Sequence, residues 1–140
     1  MKTICLRFSD VYAPEAGTIK LHDAVIKKYG FVWYGKFGNK ISSKYLSEIL
    51  ANGPVKILLL KAGSTERYWA TLEDFSYEEQ KVYPSYYRNN LGSAHTWLKI
   101  TKIEKAPDDI ADRCFTSRGN TLTSILKKTM GAYFIIEIKD

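Results

Sequence analysis

Apolar residues fall along this chain in short blocks with two different periods. Thr3-Ile4-Cys5-Leu6-Arg7-Phe8 is a brief run of β-formers and predicts a strand. Asp10, Pro14 and Gly17 mark the following stretch as a loop. Ile19, His22, Val25, Ile26 and Tyr29 then recur at helical spacing behind Thr18, a plausible cap. Lys27 and Lys28 fill the last turn and Gly30 stops it, so a helix is expected over 18–29. Phe31 to Tyr34 reads as a second strand and Gly35 to Asn39 as a glycine-containing loop. Ser42 or Ser43 can cap a second helix with Tyr45, Leu46, Ile49 and Leu50 on its apolar side, ended by Asn52-Gly53-Pro54.

The second half alternates strands with turns. Val55 to Leu60 is nearly unbroken apolar sequence, the pattern of a buried strand. Ala62-Gly63-Ser64 turns the chain, and Tyr68 to Phe75 returns as the partner strand. Ser76 to Ser93 is polar, tyrosine-rich and irregular. Thr96 to Ile103 is another strand, Asp108 to Asp112 a short helical turn, Ser117 to Asn120 a loop, Ser124 to Thr129 helical, and Tyr133 to Ile138 a closing strand. Early crossover helices followed by hairpins suggest an α+β domain. The expected architecture is a curled, barrel-like mixed sheet of about six strands with two or three flanking helices.

Length and charge sharpen this. The chain has 140 residues, enough for one domain spanning residues 1–140. Its formal net charge is +6, and 14% of its residues are aromatic, ten of them tyrosines. Positive charge suits phosphate backbones and exposed rings suit unstacked bases. The plainer reading is that the charge keeps a small domain soluble. The chain holds two cysteines and two histidines, too few for a structural zinc site or a disulfide framework. Neither a metal nor another cofactor is expected. Buried thiols, no signal-peptide pattern and no apolar run long enough for a bilayer imply a soluble cytoplasmic protein without a membrane role.

No catalytic constellation stands out. The chain has no nucleophile elbow, no phosphate-binding loop and no paired metal histidines, and His22 and His95 lack evident partners. A lone histidine on a helix face is more often a core or boundary residue. The aromatic residues say more. Trp33-Tyr34 runs into the basic loop Gly35-Lys36-Phe37-Gly38-Asn39-Lys40, a good place for a flat ligand, although a single Trp is more commonly core. Tyr77, Tyr83, Tyr86 and Tyr87 crowd the irregular loop with Pro84 and Arg88, where rings serve recognition more often than packing. Trp69 and Trp97 lie mid-strand and read as core.

The order of these motifs resembles the YTH and EVE-like branch of the PUA-like superfamily, the modified-base readers. Phe8-Ser9-Asp10, the 18–29 helix and Gly30-Phe31-Val32-Trp33 match the opening strand, helix and Gly-Val-Trp strand. Gly53-Pro54-Val55, the aromatic loop, the Trp97 strand and Ser117-Arg118 follow in the family's order. The stretch from Leu21-His22 to Tyr34-Gly35 is also similar to the N-terminal DNA-binding domains of McrB-type modification-dependent restriction systems.

The resemblance implies a non-enzymatic module that flips a modified base into an aromatic cage. The cage would be Trp33, with Tyr86 or Tyr87, Tyr83 behind, and Leu91 as a third wall. Ser9 and Asp10 would contact the base edge and Arg118 a phosphate. Lys36, Lys40 and Arg88 are phosphate candidates from charge and loop position alone. Tyr34 stands where YTH domains usually place a small residue, so it would narrow the pocket or contact the base edge. The mark could then be N6-methyladenine or a modified cytosine such as 5-methylcytosine. The implied partner is modified DNA, with a motor or nuclease subunit fused to or associated with the domain. The alternative is an RNA-binding relative reading modified or single-stranded RNA. A small-ligand or protein-interaction module is a third reading.

Overall fold

A computed structural model describes residues 1–128 and 133–139. Among the described residues seven strands and three α-helices follow one another as β1 (Lys2–Phe8), α1 (Thr18–Tyr29), β2 (Val32–Phe37), α2 (Ser43–Ile49), β3 (Val55–Lys61), β4 (Arg67–Ser76), β5 (Ala94–Lys105), β6 (Cys114–Phe115), α3 (Leu122–Lys128) and β7 (Tyr133–Ile138). Hydrogen bonds link the strands in the order β2-β5-β4-β3-β1-β7-β6, a mixed sheet in an α+β chain. All six strands expected from the sequence are present, and the added one, β6, is two residues long. A strand that short has no periodicity to read.

The chain divides into two compact units. One comprises Met1–Ser9, Lys56–Trp69 and Glu104–Asp140. In it β1 runs parallel to β3, with Arg7 opposite Leu60, and antiparallel to β7, with Leu6 opposite Tyr133. Neighbours on both sides bury Thr3 to Leu6 without a break, which is why this run is apolar rather than alternating. Cys5, Leu58, Leu60, Ile110, Cys114, Leu122 and Ile136 form its core. Both thiols are free. Burial pushes the Cys5 thiol up to about 12 and the Cys114 thiol up to about 11. Here α3 starts two residues before the expected Ser124, and the expected end at Thr129 lies outside the described residues. The helical turn near Asp108 is a 3-10 turn over Ile110–Arg113.

The other unit comprises Asp10–Val55 and Ala70–Ile103. Two boundaries differ from expectation. Thr18 is the first helical residue of α1, and Gly17 takes the cap position at φ 90°, outside the range that favours a side chain. The capping oxygen comes instead from Asp10, whose Oδ1 accepts from the Thr18 amide at 2.9 Å. The loop expected from Gly35 is strand: β2 continues to Phe37, paired antiparallel with β5, Gly35 opposite Trp97. Glycine ordinarily weakens a strand, but here an aromatic ring occupies the space of its missing side chain. The segment between β4 and β5 is irregular, as expected, and folds into 3-10 turns over Ser85–Asn89 and Leu91–Ser93.

Candidate nucleic-acid interface

The site is built along β2, which stands at one end of the strand order and pairs with β5 alone. Its other edge must find acceptors for its outward amides. The irregular segment provides them. The Trp33 amide donates to the carbonyl of Val82 at 2.8 Å, and the Gly35 amide donates to the Tyr87 hydroxyl at 3.3 Å. Past the strand, the Gly38 amide donates to the Ser93 carbonyl at 3.1 Å. The tyrosine-rich segment is thereby fastened to the strand that carries Trp33.

Alternation along β2 sends neighbouring side chains to opposite faces. Val32, Tyr34 and Lys36 share one face and are buried with their partners on β5, Ile100, Leu98 and Thr96. Tyr34 packs its ring 5.1 Å from the imidazole of His22 on α1. His22 is 1% exposed and sits in a defined hydrogen-bond chain. A carbonyl can only accept, so Nδ1–H donates to the Thr18 carbonyl at 2.7 Å. Nε2 then accepts from the Tyr87 hydroxyl at 2.6 Å. Burial lowers the His22 pKa to about 4, so the ring is neutral near pH 7. Burial also raises the hydroxyls of Tyr34, Tyr86 and Tyr87 above the usual phenol range.

Trp33, Gly35 and Trp97 lie on the other face. The alternation puts Trp33 beside Gly35, and the pairing puts Trp97 across from it. A Cβ on Gly35 would lie 3.1 Å from Cζ3 of Trp97, so the indole covers the glycine. Tyr83 lies over this indole with ring centroids 5.7 Å apart at 38°, and Tyr87 meets it edge-on at 5.8 Å. Trp97 is buried, whereas Trp33 and Tyr83 are half-buried. Tyr86 is also half-buried, its ring 4.7 Å from Tyr87. Further out, Tyr12, 54% exposed, meets Phe37 edge-on at 5.5 Å.

Trp33, Tyr83, Tyr86 and Tyr87 therefore belong to one aromatic region along β2, but not on equal terms. Tyr87 is 2% exposed and Tyr34 is 7% exposed, so both lie beneath the surface that Trp33, Tyr83 and Tyr86 reach. Lys36 is buried as well, its ammonium donating to the carbonyls of Phe37 and Asn39 at 3.2 and 2.7 Å, which ties up the candidate phosphate contact in the turn. Burial lowers its pKa. Lys40 is exposed and lies 5.0 Å over the Tyr77 ring. Arg88 is exposed in its 3-10 turn, and Leu91 is half-buried at the start of the next. Asp10 is committed to α1 through Thr18, and its charge also acts on the Tyr86 hydroxyl. Ser9 and Arg118 belong to the other unit, exposed at the end of β1 and in the turn after β6.

Gly35, His22 and Tyr12 are the residues that sequence reasoning did not place in the site. The two-residue step from Trp33 to Gly35 was a usable signal for the first. Nothing local marks His22 as the partner of a tyrosine 65 positions on.

A sequence model of the PUA-like family matches residues 4–130. The chain belongs to the PUA-like family. PUA-like domains generally bind nucleic acids, modified bases included, and are typically binding modules without catalysis. No curated protein and no solved structure matches the chain. The PUA-like match runs through both compact units. Among the described residues no cluster of His, Cys, Asp or Glu could hold a metal ion, and no helix is long and apolar enough to cross a membrane.

Proposed function

We propose that this PUA-like chain reads a modified base in DNA by taking the base out of its stack and holding it against Trp33. The observation that carries the reading is the pairing of a half-buried Trp33 with a flat floor. Trp97 covers Gly35 on that face, and Tyr83 rises from the same floor. A half-buried indole beside a closed aromatic surface keeps one face for stacking, worth roughly 1–3 kcal/mol per base. Tyr86 and Leu91 complete the cage, with Tyr87 beneath them. Asp10 meets the base edge, and Arg88 and Lys40 take phosphates. The resemblance to YTH and EVE-like readers supports N6-methyladenine or 5-methylcytosine as the mark. The likeness to McrB-type systems supports a targeting role beside a motor and nuclease.

The test is a fluorescence-anisotropy titration of the chain and of Trp33→Ala. The probes are matched duplexes with plain, N6-methylated or 5-methylcytosine bases, and the corresponding RNA, at two salt concentrations. The expected result is salt-sensitive preference for one modified duplex, lost in Trp33→Ala while its far-UV circular dichroism is unchanged. Equal binding to plain and modified duplexes overturns the base-reading proposal. Preference for RNA overturns its DNA assignment.

A further inference from the structure

The loop between β1 and α1 opens with a closed turn. The Ala13 amide donates to the Asp10 carbonyl at 3.1 Å, which makes Val11 and Tyr12 the two corner residues. Corners of such turns favour glycine, proline, asparagine, aspartate and serine. Neither corner has a positive φ, so the backbone makes no demand that a valine or a tyrosine answers. Both side chains nevertheless face solvent, Val11 79% and Tyr12 54% exposed. Among the described residues they are the one pair of chain neighbours among the exposed large apolar side chains. Turn geometry does not account for a ring at this corner.

The turn is tied to the aromatic region at two points. Its first residue is Asp10, whose Oδ1 accepts from the Thr18 amide at 2.9 Å and whose charge acts on the Tyr86 hydroxyl. A Cβ on Gly17 would lie 3.4 Å from Oδ2 of Asp10, so the far end of the loop packs on the same carboxylate. The corner itself meets β2, where the Tyr12 and Phe37 ring centroids lie 5.5 Å apart with perpendicular planes. Phe37 in turn stands 5.8 Å from the Tyr87 ring beneath the proposed cage. Whichever ring presents its edge, a perpendicular contact leaves at least one face of Tyr12 uncovered by Phe37. The four residues of such a turn close to within about 7 Å, so Tyr12 leaves the backbone beside Asp10.

Taking one base out of its stack uncovers the faces of its neighbours. A ring fixed beside the extracted base recovers the stacking that is lost. We infer that Tyr12 is a second stacking site, whose ring takes the base next to the extracted one in the same strand. The inference rests on the base-reading proposal and extends it from one base to two. Every base has a flat face, so the site tolerates any neighbour, and a purine, with the larger face, is the better occupant.

The test uses the duplexes carrying N6-methyladenine or 5-methylcytosine, with 2-aminopurine on the 5′ or the 3′ side of the mark, and plain duplexes with the same label. Wild type, Tyr12→Ala and Tyr12→Phe are compared, with far-UV circular dichroism as the check on folding. Tyr12→Asn, a residue that turns favour, replaces Tyr12→Ala if that variant does not fold. Stacking quenches 2-aminopurine. The expected result is a dim label on one side of the mark in the saturated complexes of wild type and Tyr12→Phe, and a bright one in Tyr12→Ala. Affinity for the modified duplex should fall about tenfold in Tyr12→Ala and hold in Tyr12→Phe. Equal signals from wild type and Tyr12→Ala at both label positions overturn the inference, and so does an unchanged affinity. Either of these results beside a wild-type preference for a modified duplex removes the second site alone. No preference for any modified duplex removes the base-reading proposal, and this site with it.

Discussion

The Tyr87 hydroxyl donates to Nε2 of His22 across 2.6 Å, joining the irregular tyrosine-rich segment to helix α1. The same oxygen accepts from the Gly35 amide, so one hydroxyl serves a helix and a strand edge at once. Tyr87→Phe removes both contacts and leaves a buried imidazole nitrogen without a donor. Unfolding in urea should show a loss of about 1–3 kcal/mol. A change near zero would mean that the hydroxyl is replaceable by water.

Acid should loosen the same region. His22 has a pKa near 4 in the fold against 6.5 for the free side chain. Above pH 6.5 both states are neutral and the buried ring costs nothing. Between pH 6.5 and 4 the unfolded chain binds a proton that the folded chain does not. Stability therefore falls with falling pH by up to about 1.4 kcal/mol per unit, roughly 3 kcal/mol by pH 4. Melting temperatures measured across this window should drop, and His22→Gln should flatten the drop. An equally steep drop in that variant would assign it to carboxylates instead.

Gly35→Ala tests the floor beneath Trp33. The new methyl would stand 3.1 Å from Cζ3 of Trp97 and 3.3 Å from Cβ of Ala94, so a packed ring or a strand must give way. We expect a loss of about 1–3 kcal/mol in denaturant and a changed near-UV circular dichroism spectrum, with the far-UV spectrum retained. An unperturbed near-UV spectrum would show that the indole does not lie across the glycine.

Cys5 and Cys114 should resist alkylation. Both are buried and burial raises both pKa values, so the thiolate is scarce at pH 8. Labelling by iodoacetamide in the native state should be slow, and fast in urea. Rapid native labelling of either one would show that the unit built around β1 opens readily.

Much of the scaffold was legible because its signals are local. The α1 span follows from a helical repeat closed by lysines and glycine, and the six longer strands from apolar runs bounded by turns. What escaped the sequence depends on partners distant along the chain. Asp10 caps α1 from across a loop, so Thr18 was the natural local choice and the wrong atom. Gly35 looks like a loop residue until Trp97 is placed opposite it. Among the candidate site residues, the sequence reaches the aromatic segment and Trp33 through composition and position. It does not separate Tyr86 from Tyr87, because adjacent tyrosines in a 3-10 turn differ only in which way they point. Charge and loop position mark Lys36 as a phosphate contact, and only tertiary packing shows its ammonium held by the carbonyls of Phe37 and Asn39.

The fastening of Val82 and Tyr87 to the free edge of β2 has a consequence for solution behaviour. A strand edge with unanswered amides is a template for another chain to add to, and here the tyrosine-rich segment itself occupies that edge. Shortening or loosening residues 77–93 to alter what the protein recognises would uncover the amides of Trp33 and Gly35 together. On the proposed reading, specificity and resistance to strand-to-strand aggregation are vested in the same stretch of chain, and variants that gain one by losing the other should precipitate before they misread.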